Sequence, residues 1–206
     1  RAVDYSTPIL RDRYGVSGID VIVPTHYHDD HVAGIAPIRR RYGTRVWAAE
    51  NFAEVLRQPE RYDLPCLWYE PVPVDRVLPM GEPFDWEEYT LRLHRLPGHT
   101  LYAVAIEFEV DGKRVLATGD QQGDTPDLYN YIYKNRFRHH DYADSGALYE
   151  TVRPDLVISG HWPPAWPDEA LLRSWAEQGD RLKDLHEELL PFGDLDFGAE
   201  HAAGFL

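Results

Sequence analysis

The sequence predicts a mixed α/β protein, with two packed β-sheets and helices outside them. Three observations carry that prediction. Short apolar runs recur, each ending in a polar loop rich in His or Asp: Ile19–Val23 before Thr25–His31, Tyr89–Leu96 before His99, Lys113–Thr118 before Asp120, and Asp155–Ser159 before His161. Amphipathic stretches with helical spacing separate these runs. An Asp111-Gly112 pair between two alternating segments marks a tight β-hairpin.

In chain order, residues 1–8 read as a strand end and turn, and Ile9 to Tyr14 as a short helix closed by Gly15. Ile19–Val23 is a buried strand bounded by Gly18 and Pro24. Val32 to Tyr42 is helical. Arg39, Arg40 and Arg41 fall in its last turn, where cations complement the helix dipole. Arg45–Ala49 is a strand and Glu50–Arg57 a helix. The proline-rich stretch 59–83 is mostly loop. Leu101–Val110 and Lys113–Thr118 form the hairpin. Residues 121–144 show little periodicity and many aromatics. Ser145–Arg153 is a helix with Ser145 as its cap, and Pro167–Leu190 is a long amphipathic helix.

Composition bounds the function. The chain has 206 residues, enough for a single domain, here expected over 1–206 with a Gly-rich tail at 191–206. A net charge of −14 opposes nucleic acid and anionic membrane surfaces. Arg39–Arg41 and Lys134–Arg138 are the only basic clusters, and both read as solvated faces. Cys66 is the only cysteine, so no internal disulfide forms. That suits a reducing, cytoplasmic compartment, and Cys66 is expected to be a packed thiol. No apolar run reaches the roughly 18 residues of a membrane span.

Thr25-His26-Tyr27-His28-Asp29-Asp30-His31 organises the chain. Three imidazoles and a carboxylate at 26, 28, 30 and 31 directly follow a strand. Neutral imidazole and carboxylate are the ligands that zinc and similar divalent ions favour. Pro97-Gly98-His99-Thr100, Thr118-Gly119-Asp120 and Ser159-Gly160-His161 follow at later strand ends.

These motifs resemble the His-x-His-x-Asp-His signature of the metallo-β-lactamase fold superfamily, and the later His, Asp and His stand in the order that family uses. The resemblance runs from about Asp4 to His161. It implies an αββα sandwich. The family has further strands before this point, so the chain is expected to lack its N-terminal strands and to come from a longer protein. Carried over, it puts His26, His28 and His99 on one metal ion, Asp30, His31 and His161 on a second, and Asp120 on both. It makes Asp4 a support for a metal-bound histidine, placed at a strand end. The implied chemistry is hydrolysis of an ester, thioester, lactone or related small substrate by a hydroxide shared between two divalent ions, zinc first and iron or manganese as alternatives. Asp30 would also take up the nucleophile's proton.

The resemblance leaves two other readings. One is a mononuclear iron oxidoreductase like the persulfide dioxygenases, using His26, His99 and Asp120. The other is a non-catalytic metal-binding domain of a larger protein. His28 departs from the His-x-Glu pattern of the di-iron branch. The short interval from Asp120 to His161 leaves no room for the insertion of the ribonuclease branches. The match to the glyoxalase II-like thioester hydrolases is partial, because they have a helical C-terminal domain with basic residues, whereas the 45 residues after His161 are mostly one acidic helix. Tyr133, Asn135, Arg138, His139, His140 and Trp162 are candidates for orienting substrate. His94 and Tyr102 read as packed residues, His186 and His201 as solvent-facing, and the tryptophans, Trp166 among them, as core.

Overall fold

The computed structural model describes residues 2–121, 138–191 and 193. The chain divides into two compact units, one running to Leu78 and the other starting at Pro79.

The first unit opens with α1 (Ala2–Tyr14), followed by β1 (Val21–Ile22), α2 (Asp29–Val32), α3 (Ile35–Tyr42), β2 (Arg45–Ala49), α4 (Ala53–Arg57) and β3 (Arg76–Leu78). Its three strands form one parallel sheet in the order β1-β2-β3, with Ile22 opposite Val46 and Ala49 opposite Leu78. Val46, Ala48, Phe52, Val55, Leu56 and Leu78 are buried. Each of the larger of these, valine, leucine and phenylalanine, contributes roughly 1.5–3 kcal/mol by leaving water.

The strand expected at residues 1–8 is instead the first half of α1. Asp4 in the first turn and Arg11 and Arg13 in the last match the helix dipole. Pro8 sits inside this helix, not at its start. It removes a single backbone donor, and the Thr7 hydroxyl takes the Val3 carbonyl at 2.9 Å. Gly15, at φ +68°, closes the helix by donating its N–H to Arg11. Arg39 of the expected solvated run is committed to an ion pair with Asp75.

The second unit is a five-stranded sheet and two helices: β4 (Pro83–Trp86), β5 (Tyr89–Arg95), β6 (Val104–Val110), β7 (Lys113–Gly119), α5 (Asp141–Val152), β8 (Leu156–Ser159) and α6 (Glu169–Leu189). The strands lie in chain order, antiparallel up to β7, and β8 then joins parallel to β7. The β6–β7 turn has Asp111 at φ +51° and Gly112 at φ +69°, the type I′ geometry its sequence called for. Leu96, Ala105, Leu116 and Val157 pack with Tyr149, Val152, Leu172 and Trp175 into one core.

Helix α5 begins four residues before the expected cap. Asp141 starts it, its carboxylate reaching back to the Arg138 N–H at 2.9 Å. Ser145 is therefore an internal, fully buried residue. The Asp168 side chain caps α6 by accepting from Leu171 N–H at 2.8 Å. Trp166, expected in the core, is 66% exposed. Among the described residues no helix is long and apolar enough to cross a membrane.

Candidate metal centre

Four of the seven expected ligands, His26, His28, Asp30 and His31, belong to the first unit. Pro24 ends the strand, and the chain turns into the short helix α2 with His28 as its N-cap. The His28 carbonyl accepts from His31 N–H at 3.0 Å and Val32 N–H at 3.1 Å. A second segment braces this loop: the Cys66 carbonyl accepts from Asp29 N–H at 2.9 Å, and His28 bridges to Leu67. Cys66 itself is exposed, not packed, and stands at φ +55°. The braced loop gathers its imidazoles. The His26 ring centroid lies 4.6 Å from that of His28 and 4.2 Å from that of His31. His26 and His28 are buried. Thr25 Oγ1 is 3.1 Å from His26 Nδ1. A neutral imidazole that donates Nδ1–H to this hydroxyl presents the lone pair of Nε2 to a metal. Asp30 is half-exposed, its Oδ2 3.7 Å from His31 Nε2.

The other three, His99, Asp120 and His161, belong to the second unit. The strands β7 and β8 end side by side, with Gly119 opposite Ser159 across an irregularity in register. The Gly119 carbonyl accepts from Gly160 N–H at 2.8 Å and from the Ser159 hydroxyl at 2.9 Å. This pairing delivers Asp120 and His161 to the same sheet end. Asp120 Oδ2 lies 3.1 Å from His161 Nε2 and 3.5 Å from His99 Nε2. His99 and Asp120 are buried, whereas the His161 side chain is half-exposed.

These distances fit a divalent ion. Ligands held at 2.0–2.1 Å in a tetrahedron lie about 3.3 Å from one another, which matches the spacing of Asp120 Oδ2 from both imidazoles. The donor set, histidine nitrogen and carboxylate oxygen, suits zinc, and equally manganese or iron.

Sequence reasoning missed three residues that shape this region. The Thr25 hydroxyl lies against Nδ1 of His26, as above. Gln121, fully buried, accepts the His99 N–H through Oε1 at 2.8 Å and donates through Nε2 to the Pro97 carbonyl at 3.3 Å. The Ser145 hydroxyl donates to the same Pro97 carbonyl at 2.5 Å. The available signal was position: Gln121 follows a candidate ligand at a strand end, where a buried amide must find partners.

The remaining candidates fall as follows. Asp4 is exposed in the first turn of α1 rather than at a strand end. His139 is buried, its ring 6.2 Å from that of His186, which places it in the packing of α5 and α6. His186, expected in solvent, is partly buried. Burial, and secondarily His139, push its pKa below the usual histidine range. Burial also pushes the Asp141 carboxyl upward. His140 is paired with Asp144 at 2.7 Å, and Arg138 is exposed. His94 is held by Glu107 at 2.7 Å, as befits a strand residue. Trp162 meets the His161 ring edge-on, with centroids 6.1 Å apart. Tyr133, Asn135 and His201 lie outside the described residues.

Residues 3–194 match the family profile of the metallo-β-lactamase superfamily. The chain belongs to this superfamily. Solved structures support the fold: a metallo-β-lactamase from Cronobacter sakazakii, mutated in its HARLDQ motif, superposes with a TM-score of 0.64 over 92% of this chain and 84% of that one, at 22% identity. An archaeal superfamily protein from Sulfolobus tokodaii gives 0.56 over 81% of this chain and 70% of its own, at 19% identity. Among curated relatives, the hydroxyacylglutathione hydrolase of Acidiphilium cryptum is 31% identical over 102 residues, 50% of this chain and 35% of that protein. The same-named protein of a Bradyrhizobium species is 25% identical over 198 residues, 89% of this chain and 68% of its own. The matches thus span about a third of the first relative and two thirds of the second.

Proposed function

We propose that this superfamily member is a dinuclear metal-dependent hydrolase acting on a small thioester, ester, lactone or related acyl substrate. The observation that carries the reading is the Asp120 carboxylate, set within 3.1–3.5 Å of two imidazole nitrogens. His26, His28 and His99 would hold one ion, Asp30, His31 and His161 the other, and Asp120 both. Zinc is the first choice and manganese or iron the alternatives. Bound ions would supply an activated water near neutral pH and polarise the carbonyl under attack.

The residues divide the remaining work. Thr25 fixes the tautomer of His26, and Gly119 and Ser159 hold Asp120 beside His161. Asp30, a half-exposed carboxylate, is the group proposed to take up the nucleophile's proton. The His161 side chain is half-exposed with Trp162 beside it, and an acyl group could rest on the indole. Thioesters head the substrate classes because the curated relatives are named hydroxyacylglutathione hydrolases. We take both units as one domain, located in the cytoplasm and acting on small molecules rather than nucleic acid, in keeping with the charge of −14 and the lone cysteine.

Elemental analysis of protein purified without added metal tests the reading, followed by a panel of thioesters, esters, lactones and phosphodiesters. Two zinc or manganese ions per chain with acyl hydrolysis supports it. One iron per chain with oxygen uptake on persulfides would replace it with the dioxygenase reading. Absence of bound metal would leave a non-catalytic domain.

A further inference from the structure

We propose that Gln121 is a positioning residue of the metal centre, clamping the backbone of His99 to the residue after Asp120 so that the two ligands keep a fixed separation. This rests on the reading of His99 and Asp120 as ligands. Gln121 is fully buried, and its amide has one acceptor and one donor end. The chemistry of its partners fixes which way it points. The His99 N–H can only donate and so faces Oε1, at 2.8 Å, while the Pro97 carbonyl can only accept and so faces Nε2, at 3.3 Å. One side chain thus spans the loop on both sides of Gly98, from the residue directly bonded to Asp120.

Gly98 confirms how close the approach is. It stands at φ +141°, and a Cβ there would come within 2.5 Å of Gln121 Nε2 and 2.9 Å of the Tyr142 ring. The loop therefore has no side chain between His99 and the clamp. Ser145 holds the Pro97 carbonyl from α5, whereas Gln121 holds that carbonyl and also the His99 N–H. In the superfamily's proposed chemistry, His99 and Asp120 meet an ion from different loops, and an error in their spacing is an error in coordination. Partners that orient ligands in this way change metal affinity by roughly 10- to 100-fold when removed.

The test uses the full chain stripped of metal by a chelator. Zinc affinity is read by competition with a chromophoric chelator, and ligand geometry by the visible spectrum of the cobalt(II)-loaded protein. Gln121→Met keeps the volume and loses both bonds. It is expected to weaken zinc binding roughly 10- to 100-fold and to alter the cobalt spectrum. Ser145→Ala removes the other donor to Pro97 and leaves the His99 bond, so it is expected to lower thermal stability with wild-type affinity and spectrum. Should Gln121→Met fail to fold, Gln121→Asn, one methylene too short to span both partners, is read in the same way. A Gln121 variant with wild-type affinity and spectrum overturns the proposal, whatever its melting temperature. So does a Ser145→Ala that weakens zinc as much as Gln121→Met, since the effect would then be general loosening. If the unmutated chain binds no divalent metal, the reading of the centre itself fails, which is distinct from either result.

Discussion

Asp120 Oδ2 lies 3.1 Å from His161 Nε2, and the backbone that holds the two together is the parallel pairing of Gly119 with Ser159. A carboxylate fixed this way can serve ions on either side of it. On the proposed reading its replacement removes a ligand that two ions share, so the loss should exceed the 10- to 100-fold typical of a partner that only orients a ligand. Asp120→Ala is expected to purify with less than half the metal of the parent chain and to lose more than about 10²-fold in acyl hydrolysis. Metal content and turnover measured on the same preparation decide it, and retention of both would remove the centre as assigned.

Thr25 is the second position to test, because its hydroxyl is 3.1 Å from His26 Nδ1. Thr25→Val keeps the β-branched shape and removes the acceptor that selects the Nε2 lone pair. Zinc affinity is expected to fall about 10- to 100-fold, with Thr25→Ser close to the parent. Equal affinity in Thr25→Val would show that another group sets the His26 tautomer.

The candidate ligands stood out in the sequence because they sit in polar loops directly after apolar strands, and the hairpin was legible because Asp111-Gly112 supports the two positive φ values that its turn needs. What escaped depended on contacts between distant segments. Pro8 suggested a turn, since its cost inside a helix is visible locally while the charges at the two ends of α1 that suit a helix act over its whole length. Ser145 looked like a cap because its true partner, Pro97, is 48 residues away. Gln121 carries no motif at all. Its role appears only when the His99 loop is folded over it. Cys66 was assigned to the interior for want of an activating neighbour and Trp166 as one of the core tryptophans, yet surface positions tolerate such residues singly.

Acid stability should report on Asp75. Its carboxylate accepts from Arg39 and from the Val46 N–H at 2.7 Å, and the Arg39 guanidinium foremost holds its pKa down to about 2. An unfolded aspartate titrates near 4. The folded value is the lower one, so the stabilisation is fully present above about pH 4 and is lost as pH falls through about 2. Because the pair is about a third exposed, solvent screening limits its worth to about 1–2 kcal/mol. Asp75→Asn is expected to destabilise the chain by that amount at pH 7 and to flatten the stability profile between pH 4 and 2. Denaturant titrations of both proteins at several pH values measure it. An unchanged slope in that window would show that the pair is not formed in solution.

The packing of α5 on α6 should be intolerant of added volume at Gly179. A Cβ there would meet the Tyr142 carbonyl oxygen at 2.3 Å and its carbon at 2.7 Å, both backbone atoms that cannot rotate away. Within a helix, alanine would ordinarily be favoured over glycine by up to about 1 kcal/mol. Here the clash reverses the sign, and Gly179→Ala is expected to cost about 1–3 kcal/mol as α5 is pushed off α6. Ser145 rides on α5, but its bond to the Pro97 carbonyl leaves the Gln121–His99 bond untouched. The expected signature is a lower melting temperature with zinc affinity close to that of the parent chain. A stabilised Gly179→Ala would mean that the two helices pack less closely than this structure has them.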